Sequence, residues 1–269
     1  LTRQASETMV VVDHARHAEL LAEAARAAGL RFNVLVDISP AGKRTGVTPG
    51  ANALALAKHV DRLDGLQLRG VHGYSGASAH VKGFAERAQH SRKVMTPVLE
   101  SFAAMQQAGL PVEIMSGGST GTYNIDSELD GMTELQVGSY VFMDVDYRRI
   151  GGRSGDIYTD FAPSLTVLAT VISQNHPGMA TVDAGLKAFA TDRRFGPEPL
   201  DEALSYGFSG DEHGALKWEN DAGRELQLGD KVELMVPHCD PNVNLYDRIY
   251  ACRGEQVREV WKVAARGHA

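Results

Sequence analysis

Residues 237–241 read Pro-His-Cys-Asp-Pro. In an extended segment, side chains two positions apart share a face. His238 and Asp240 would then present an imidazole and a carboxylate together, an N/O pair suited to Mn²⁺ or Zn²⁺. Cys239 faces the other way in this arrangement, and Pro237 and Pro241 restrict the backbone. The same residues also describe a surface turn in which Asp240 caps the following backbone. Ser116-Gly117-Gly118-Ser119-Thr120-Gly121-Thr122 sets glycines and hydroxyls close together, and successive N–H groups in such a run suit an anion. It is neither a P-loop nor the Gly-x-Gly-x-x-Gly fingerprint, and an ordinary turn between strand and helix has the same composition. Gln136-Val137-Gly138-Ser139-Tyr140 repeats the Gly-Ser pair at the next strand end, so two tips could clamp one phosphate. A bulge with Tyr140 in the core is the alternative. Tyr74 and His80 are an acid/base pair by type, or His72 is a hydrogen-bonded core residue and His80 a surface residue at a helix N-terminus. Arg44, in the loop after Asp37, suits a bidentate contact with an anionic or phenolate oxygen, or a surface salt bridge.

The elements that must carry these residues alternate in the first half. Strand runs at Met9–Asp13, Phe32–Ile38, Leu66–Val71, Val112–Met115 and Glu134–Val137 are separated by helix patterns at His14–Ala28, Ala51–Leu63 and roughly Val81–Ala108. Such alternation predicts parallel βαβ units. Each strand runs into a glycine-rich or polar loop, as ligand-binding strands do in a (β/α)₈ barrel or a doubly wound sheet. From Tyr147–Asp156 onward, strand runs dominate: Leu165–Ile172, Met179–Asp183, Lys231–Val236 and Leu245–Tyr250, with turn signals at Asp221–Gly223 and Gly229-Asp230. The expected domains are 1–150 and a mostly β domain over 157–269.

Composition narrows the function classes. Lys plus Arg number 27 against 34 Asp plus Glu, a net charge of −7, which speaks against a nucleic-acid partner. No apolar run approaches the roughly 18 residues of a membrane helix, and no signal-peptide pattern opens the chain. Two cysteines, Cys239 and Cys252, make no disulfide framework. A soluble, cytoplasmic protein is the expectation.

Taken in order, Asp37…Lys43-Arg44-Thr45-Gly46, His72-Gly73-Tyr74…His80, Ser116-Gly117-Gly118-Ser119, Gln136-Val137-Gly138-Ser139-Tyr140 and Pro237-His238-Cys239-Asp240-Pro241 resemble the D-threonine aldolase and D-serine dehydratase-like family of fold type III pyridoxal-phosphate enzymes. The resemblance spans essentially the whole chain. It implies an α/β fold, a (β/α)₈ barrel of the alanine-racemase kind followed by a β domain, with the barrel's first units outside this chain. It implies that Ser116, Gly117, Gly118, Gly138 and Ser139 hold the phosphate of pyridoxal 5′-phosphate, with Gln136 and Tyr140 in the same cofactor site. Arg44 would lie against the ring oxygen, Tyr74 beside the ring, and His80 near the substrate's β-hydroxyl as base. His238 and Asp240 would bind a divalent metal, Mn²⁺ first, then Mg²⁺, Co²⁺ or Zn²⁺. Asp rather than Cys at the second metal position favours an aldolase acting on D-threonine and other D-3-hydroxy amino acids, giving glycine and an aldehyde. D-Serine or D-3-hydroxyaspartate dehydratase and a non-catalytic cofactor-binding protein are the alternatives, and a homodimer is expected. The family's Schiff-base lysine lies on the first barrel strand, and none of Lys43, Lys58, Lys82, Lys93, Lys187, Lys217, Lys231 or Lys262 matches it. An upstream segment of roughly a hundred residues is expected to carry it.

Overall fold

The structure, a computed structural model, describes residues 2–40, 44–219 and 226–267. The chain divides into two compact units, Leu1–Gly138 and Ser139–Ala269.

In the first unit, β1 (Met9–Val12), α1 (Ala15–Ala27), β2 (Phe32–Asp37), α2 (Ala51–Asp61), β3 (Leu66–Gly73), α3 (Gly76–Ala79), α4 (Phe84–Gln107), β4 (Ile114–Gly117), α5 (Tyr123–Asp126) and β5 (Glu134–Leu135) follow one another. The five strands pair in sequence order, all parallel, as successive units of a (β/α) barrel. Helix α1 buries Ala18, Ala22 and Ala25, a stripe at i, i+4 and i+7, and Gly29 at φ +64° follows its end. Val36, Ile38, Val71 and Met115 belong to one apolar cluster with Met95, Val98 and Phe102 of α4. Side chains alternate along a strand, so Asp37, His72 and Ser116 occupy the face turned away from the helices. At Gly70 a Cβ would strike the Ile114 backbone, so only glycine lets β3 and β4 approach there.

The second unit opens with a 3-10 turn at Ser139–Val141 and continues with α6 (Val145–Arg148), β6 (Thr166–His176), β7 (Met179–Val182), β8 (Glu198–Pro199), β9 (Ser205–Phe208), β10 (Gly214–Lys217), β11 (Lys231–Met235), α7 (Cys239–Val243), β12 (Arg248–Arg253) and β13 (Gln256–Lys262). Six strands form an antiparallel sheet in the order β8-β11-β6-β7-β10-β9, and β12 pairs with β13. Val171, Val182, Phe189, Leu216 and Leu234 lie in its core. The units divide at 138/139, ahead of the change in sequence pattern at 147–156. Residues 145 and 146 explain the difference: the Val145 N–H donates to Val236 O at 3.1 Å and the Asp146 N–H to Pro237 O at 3.2 Å, within the β unit.

Several expected elements move. The long helix starts at Phe84 rather than Val81 because Gly83 sits at φ +81°, outside helical space, and a separate turn, α3, precedes it. The strand expected at 112–115 runs from Ile114 to Gly117. That expected at Leu245–Tyr250 begins at Arg248, because the N–H groups of Leu245 and Tyr246 bond back to Asn242 O and Val243 O and complete the preceding helical turn. The turn signal at 221–223 and Lys43 lie outside the described residues. Among the described residues, no helix is long and apolar enough to cross a membrane.

Candidate active site

Parallel register brings one group of candidate residues together in the first unit. Asp37 pairs with His72, His72 with Ser116, and Ser116 with Glu134, a row across four strand ends. The His72 Nδ1–H donates to Asp37 Oδ1 at 2.7 Å, and His72 Nε2 stands 3.2 Å from Gln136 Oε1. The Gln136 amide donates to Ser116 Oγ at 3.0 Å, and the Ser116 hydroxyl donates to Glu134 Oε1 at 2.5 Å. His72 is therefore the hydrogen-bonded residue of the sheet that its position allows. Burial, the largest single influence on Asp37, would raise its carboxyl. Hydrogen bonds from His72 and Thr45 and the charges of His72 and Arg44 outweigh it and hold the group below its ordinary value.

The loop after β4 is turned inward. Ser119, Thr120 and Thr122 are buried, the Ser119 N–H donates to Thr122 Oγ1 at 3.1 Å, and the Thr122 N–H returns to Ser119 O. Gly118 sits at φ +68°, where a Cβ would come 2.9 Å from Leu135 Cδ2. A Cβ at Gly117 would come 2.6 Å from Gly73 O, and one at Gly121 would strike Ala79 O. These glycines admit protein atoms, and the Ser116 hydroxyl is already committed to Glu134. Gly138 differs: a Cβ there meets nothing within 4 Å. Tyr140 is 42% exposed and tilts against Phe161 at 5.5 Å, so it is no core residue.

Arg44 and Tyr74 come together, the guanidinium carbon 5.1 Å from the ring centroid, a cation–π contact. His80 is half-buried at the C-terminal cap of α3, not at a helix N-terminus.

The Pro-His-Cys-Asp-Pro segment corrects the extended reading. His238 alone is extended (φ −147°, ψ 118°) and caps α7, which contains Cys239 and Asp240. Helix geometry nonetheless leaves His238 Nε2 and Asp240 Oδ2 3.8 Å apart, with Asp240 70% exposed. Cys239 is buried; burial first, then the Asp144 and Asp240 charges, pushes its thiol well up. The cap of this turn is Asp144, not Asp240: its carboxylate accepts from the Cys239 N–H at 2.8 Å and from the Tyr147 N–H at 2.8 Å. Burial raises the Asp144 carboxyl despite these bonds. The His238 Nδ1–H donates to Asp192 Oδ2 at 2.7 Å, and the Arg193 guanidinium lies 3.4 Å from His238 Nε2.

Two family models match the chain, "Alanine racemase, N-terminal domain" over residues 2–146 and "Putative serine dehydratase domain" over 164–252. A 3-hydroxy-D-aspartate aldolase of Paracoccus denitrificans (strain Pd 1222) is 33% identical over 269 residues, 99% of this chain and 69% of that protein. A D-threonine aldolase of an Arthrobacter species is 34% identical over 260 residues, 96% of this chain and 67% of that protein. The chain belongs to the D-threonine aldolase and D-serine dehydratase-like family. The crystal structure of D-threonine aldolase from Filomicrobium marinum matches with a TM-score of 0.88 and 37% identity, covering 96% of this chain and 70% of that one. Aldolases and dehydratases are lyases, so this family member is an enzyme of that class, built on the alanine-racemase-like fold.

Sequence reading of this family member missed Glu134, Asp144, Asp192 and Arg193. Asp144 could have been flagged as a carboxylate inside an apolar run, where a buried charge needs partners. The distance of 46 positions between Asp192 and His238 left no local signal.

Proposed function

We propose that this protein is a pyridoxal-phosphate- and divalent-metal-dependent aldolase that cleaves D-threonine and related D-3-hydroxy amino acids to glycine and an aldehyde. The observation that carries the reading is the pair His238 Nε2 and Asp240 Oδ2, 3.8 Å apart on a turn that holds both. Among the described residues, no three His, Cys, Asp or Glu side chains converge as a metal cage. His238 and Asp240 would supply two of the ion's ligands, and a catalytic ion keeps a position open for substrate. The donor chemistry also fits: Nδ1 of His238 is engaged by Asp192, which leaves the Nε2 lone pair facing a cation, at present the Arg193 guanidinium.

Bound there, a divalent ion would lower the pKa of a coordinated β-hydroxyl. Pyridoxal phosphate, when bound, supplies the electron sink for the bond broken at Cα. The open Gly138 tip, with Ser139 next in the chain, is the best-fitting place for its phosphate, since the Ser116–Thr122 loop spends its hydroxyls internally. Arg44, stacked on Tyr74, offers a fixed cation to a phenolate oxygen. Glu134, Ser116, Gln136, His72 and Asp37 hold the strand ends in register behind these groups. His80 is the residue proposed to take the β-hydroxyl proton.

The test is product analysis of the full-length protein with D-threonine and Mn²⁺: glycine and acetaldehyde in equal amounts support the aldolase. A 2-oxo acid with ammonia would establish the second reading, a dehydratase, which the model match over 164–252 favours. His238→Ala and Asp240→Ala are expected to reduce turnover by at least about a hundredfold while cofactor absorbance stays, because the metal acts on substrate. Loss of that absorbance would refute the division of labour.

A further inference from the structure

Around His238 the second unit assembles more charge than the metal reading uses. The segment around Phe189 is pinned to α7 and the turn after it: the Ala190 N–H donates to the buried Asn242 Oδ1 at 2.8 Å, and the Tyr246 hydroxyl donates to Ala188 O at 2.9 Å. Those bonds place Asp192 and Arg193 beside the imidazole. Asp192 Oδ2 accepts from His238 Nδ1 at 2.7 Å and lies 3.2 Å from an Arg193 nitrogen. Arg193 Nε lies 2.6 Å from Asp146 Oδ2, and its terminal nitrogen lies 3.4 Å from His238 Nε2. A guanidinium has donors only, so the Nε2 it faces is the lone-pair nitrogen. The hydrogen bond made by one ring nitrogen thus decides that the other is the ligand.

The charges sharpen this. The carboxylates of Asp146, Asp192 and Asp240 each lie within 3.8 Å of the Arg193 guanidinium or the His238 imidazole, so both groups stand among acidic oxygens.

Resting on the metal reading above, we propose that Asp192 is a positioning residue that fixes His238 with Nε2 as ligand, and that Arg193 holds the place of the divalent ion and is displaced by it. Arg193 is then an internal competitor: metal binding must break its contact with Nε2, while Asp192 keeps the imidazole aimed.

Titration of the metal-stripped full-length protein with Mn²⁺, followed by the free-ion electron paramagnetic resonance signal, tests this without turnover. Asp192→Asn is expected to weaken Mn²⁺ binding about 10–100-fold, as loss of an outer partner does. Arg193→Met is expected to tighten it about tenfold, since the guanidinium charge no longer competes with the ion. Unchanged affinity in Asp192→Asn, or unchanged or weaker affinity in Arg193→Met, overturns the proposal. The ¹⁵N shifts of His238 in the metal-free protein are a second readout: Nδ1 carries the proton in the wild type, and a swapped tautomer there overturns the proposal whatever the variants do. The metal reading itself is tested separately by His238→Ala. If that variant binds Mn²⁺ as tightly as the wild type, the ion is elsewhere and both ideas fail. If it abolishes binding while the Asp192 and Arg193 variants match the wild type, only this proposal fails.

Discussion

The two cysteines show how position, not type, sets reactivity. Cys239 is 1% exposed, and burial beside two carboxylates pushes its thiol up, whereas Cys252 is an exposed free thiol. A thiolate is the reactive form, so a disulfide reagent should modify one thiol in the native protein and two after denaturation. Peptide mapping should place the fast site at Cys252, and fast labelling of Cys239 would contradict the buried cap. Asp37 gives a pH signature. Its folded carboxyl lies below its ordinary value, so it adds stability above the ordinary carboxylate range and loses it as the pH falls through the lower folded value. Asp37→Asn should cost about 1–3 kcal/mol at pH 7. The gap between the two proteins in urea melts should close as the pH falls below the ordinary carboxylate range. A gap that persists at lower pH would mean that shape rather than charge matters there.

Among the elements, α6 and α7 are tied by one side chain. Asp144 caps α6 through the Tyr147 N–H and receives the first N–H of α7, that of Cys239. Asp144→Ala orphans two N–H groups and is expected to cost about 2–4 kcal/mol in urea unfolding. A loss under about 0.5 kcal/mol, the scale of an ordinary surface change, would show that water replaces the carboxylate. Asp144 also has the opposite pH sense to Asp37. Burial raises it, so its ionised form is disfavoured in the folded state and that penalty is relieved as acid protonates it. In the first unit, β3, β4 and β5 act together through register: a slip of one residue would turn His72 and Ser116 toward the helices.

At the scale of the molecule, two separate cores predict two unfolding events. Val34, Val71 and Met115 lie in one cluster, and Val171, Val182 and Leu234 in the other. Leu234→Ala, a buried truncation worth about 2–5 kcal/mol, is expected to lower one calorimetric transition and leave the other in place. A single transition that shifts as a whole would show the units to be energetically one. The net charge of −7 gives no overall attraction to a polyanion.

The alternation of Val, Leu and Ala runs, with glycine at the stops, was enough to reveal parallel βα units followed by β structure, because hydrophobic period and turn chemistry are local. The ordered motifs around Arg44, Tyr74, Ser116, Gly138 and His238 were likewise legible and carried the family resemblance. Spacing could not tell that 239–243 is helical, that Ser116 spends its hydroxyl on Glu134, or that Asp144 rather than Asp240 caps the turn. Nor could it find Asp192 and Arg193 beside His238, 46 and 45 positions away. Hydrogen bonds between distant segments depend on where sheets and turns bring the chain back upon itself. Which lone pair His238 presents was therefore decided by tertiary structure alone.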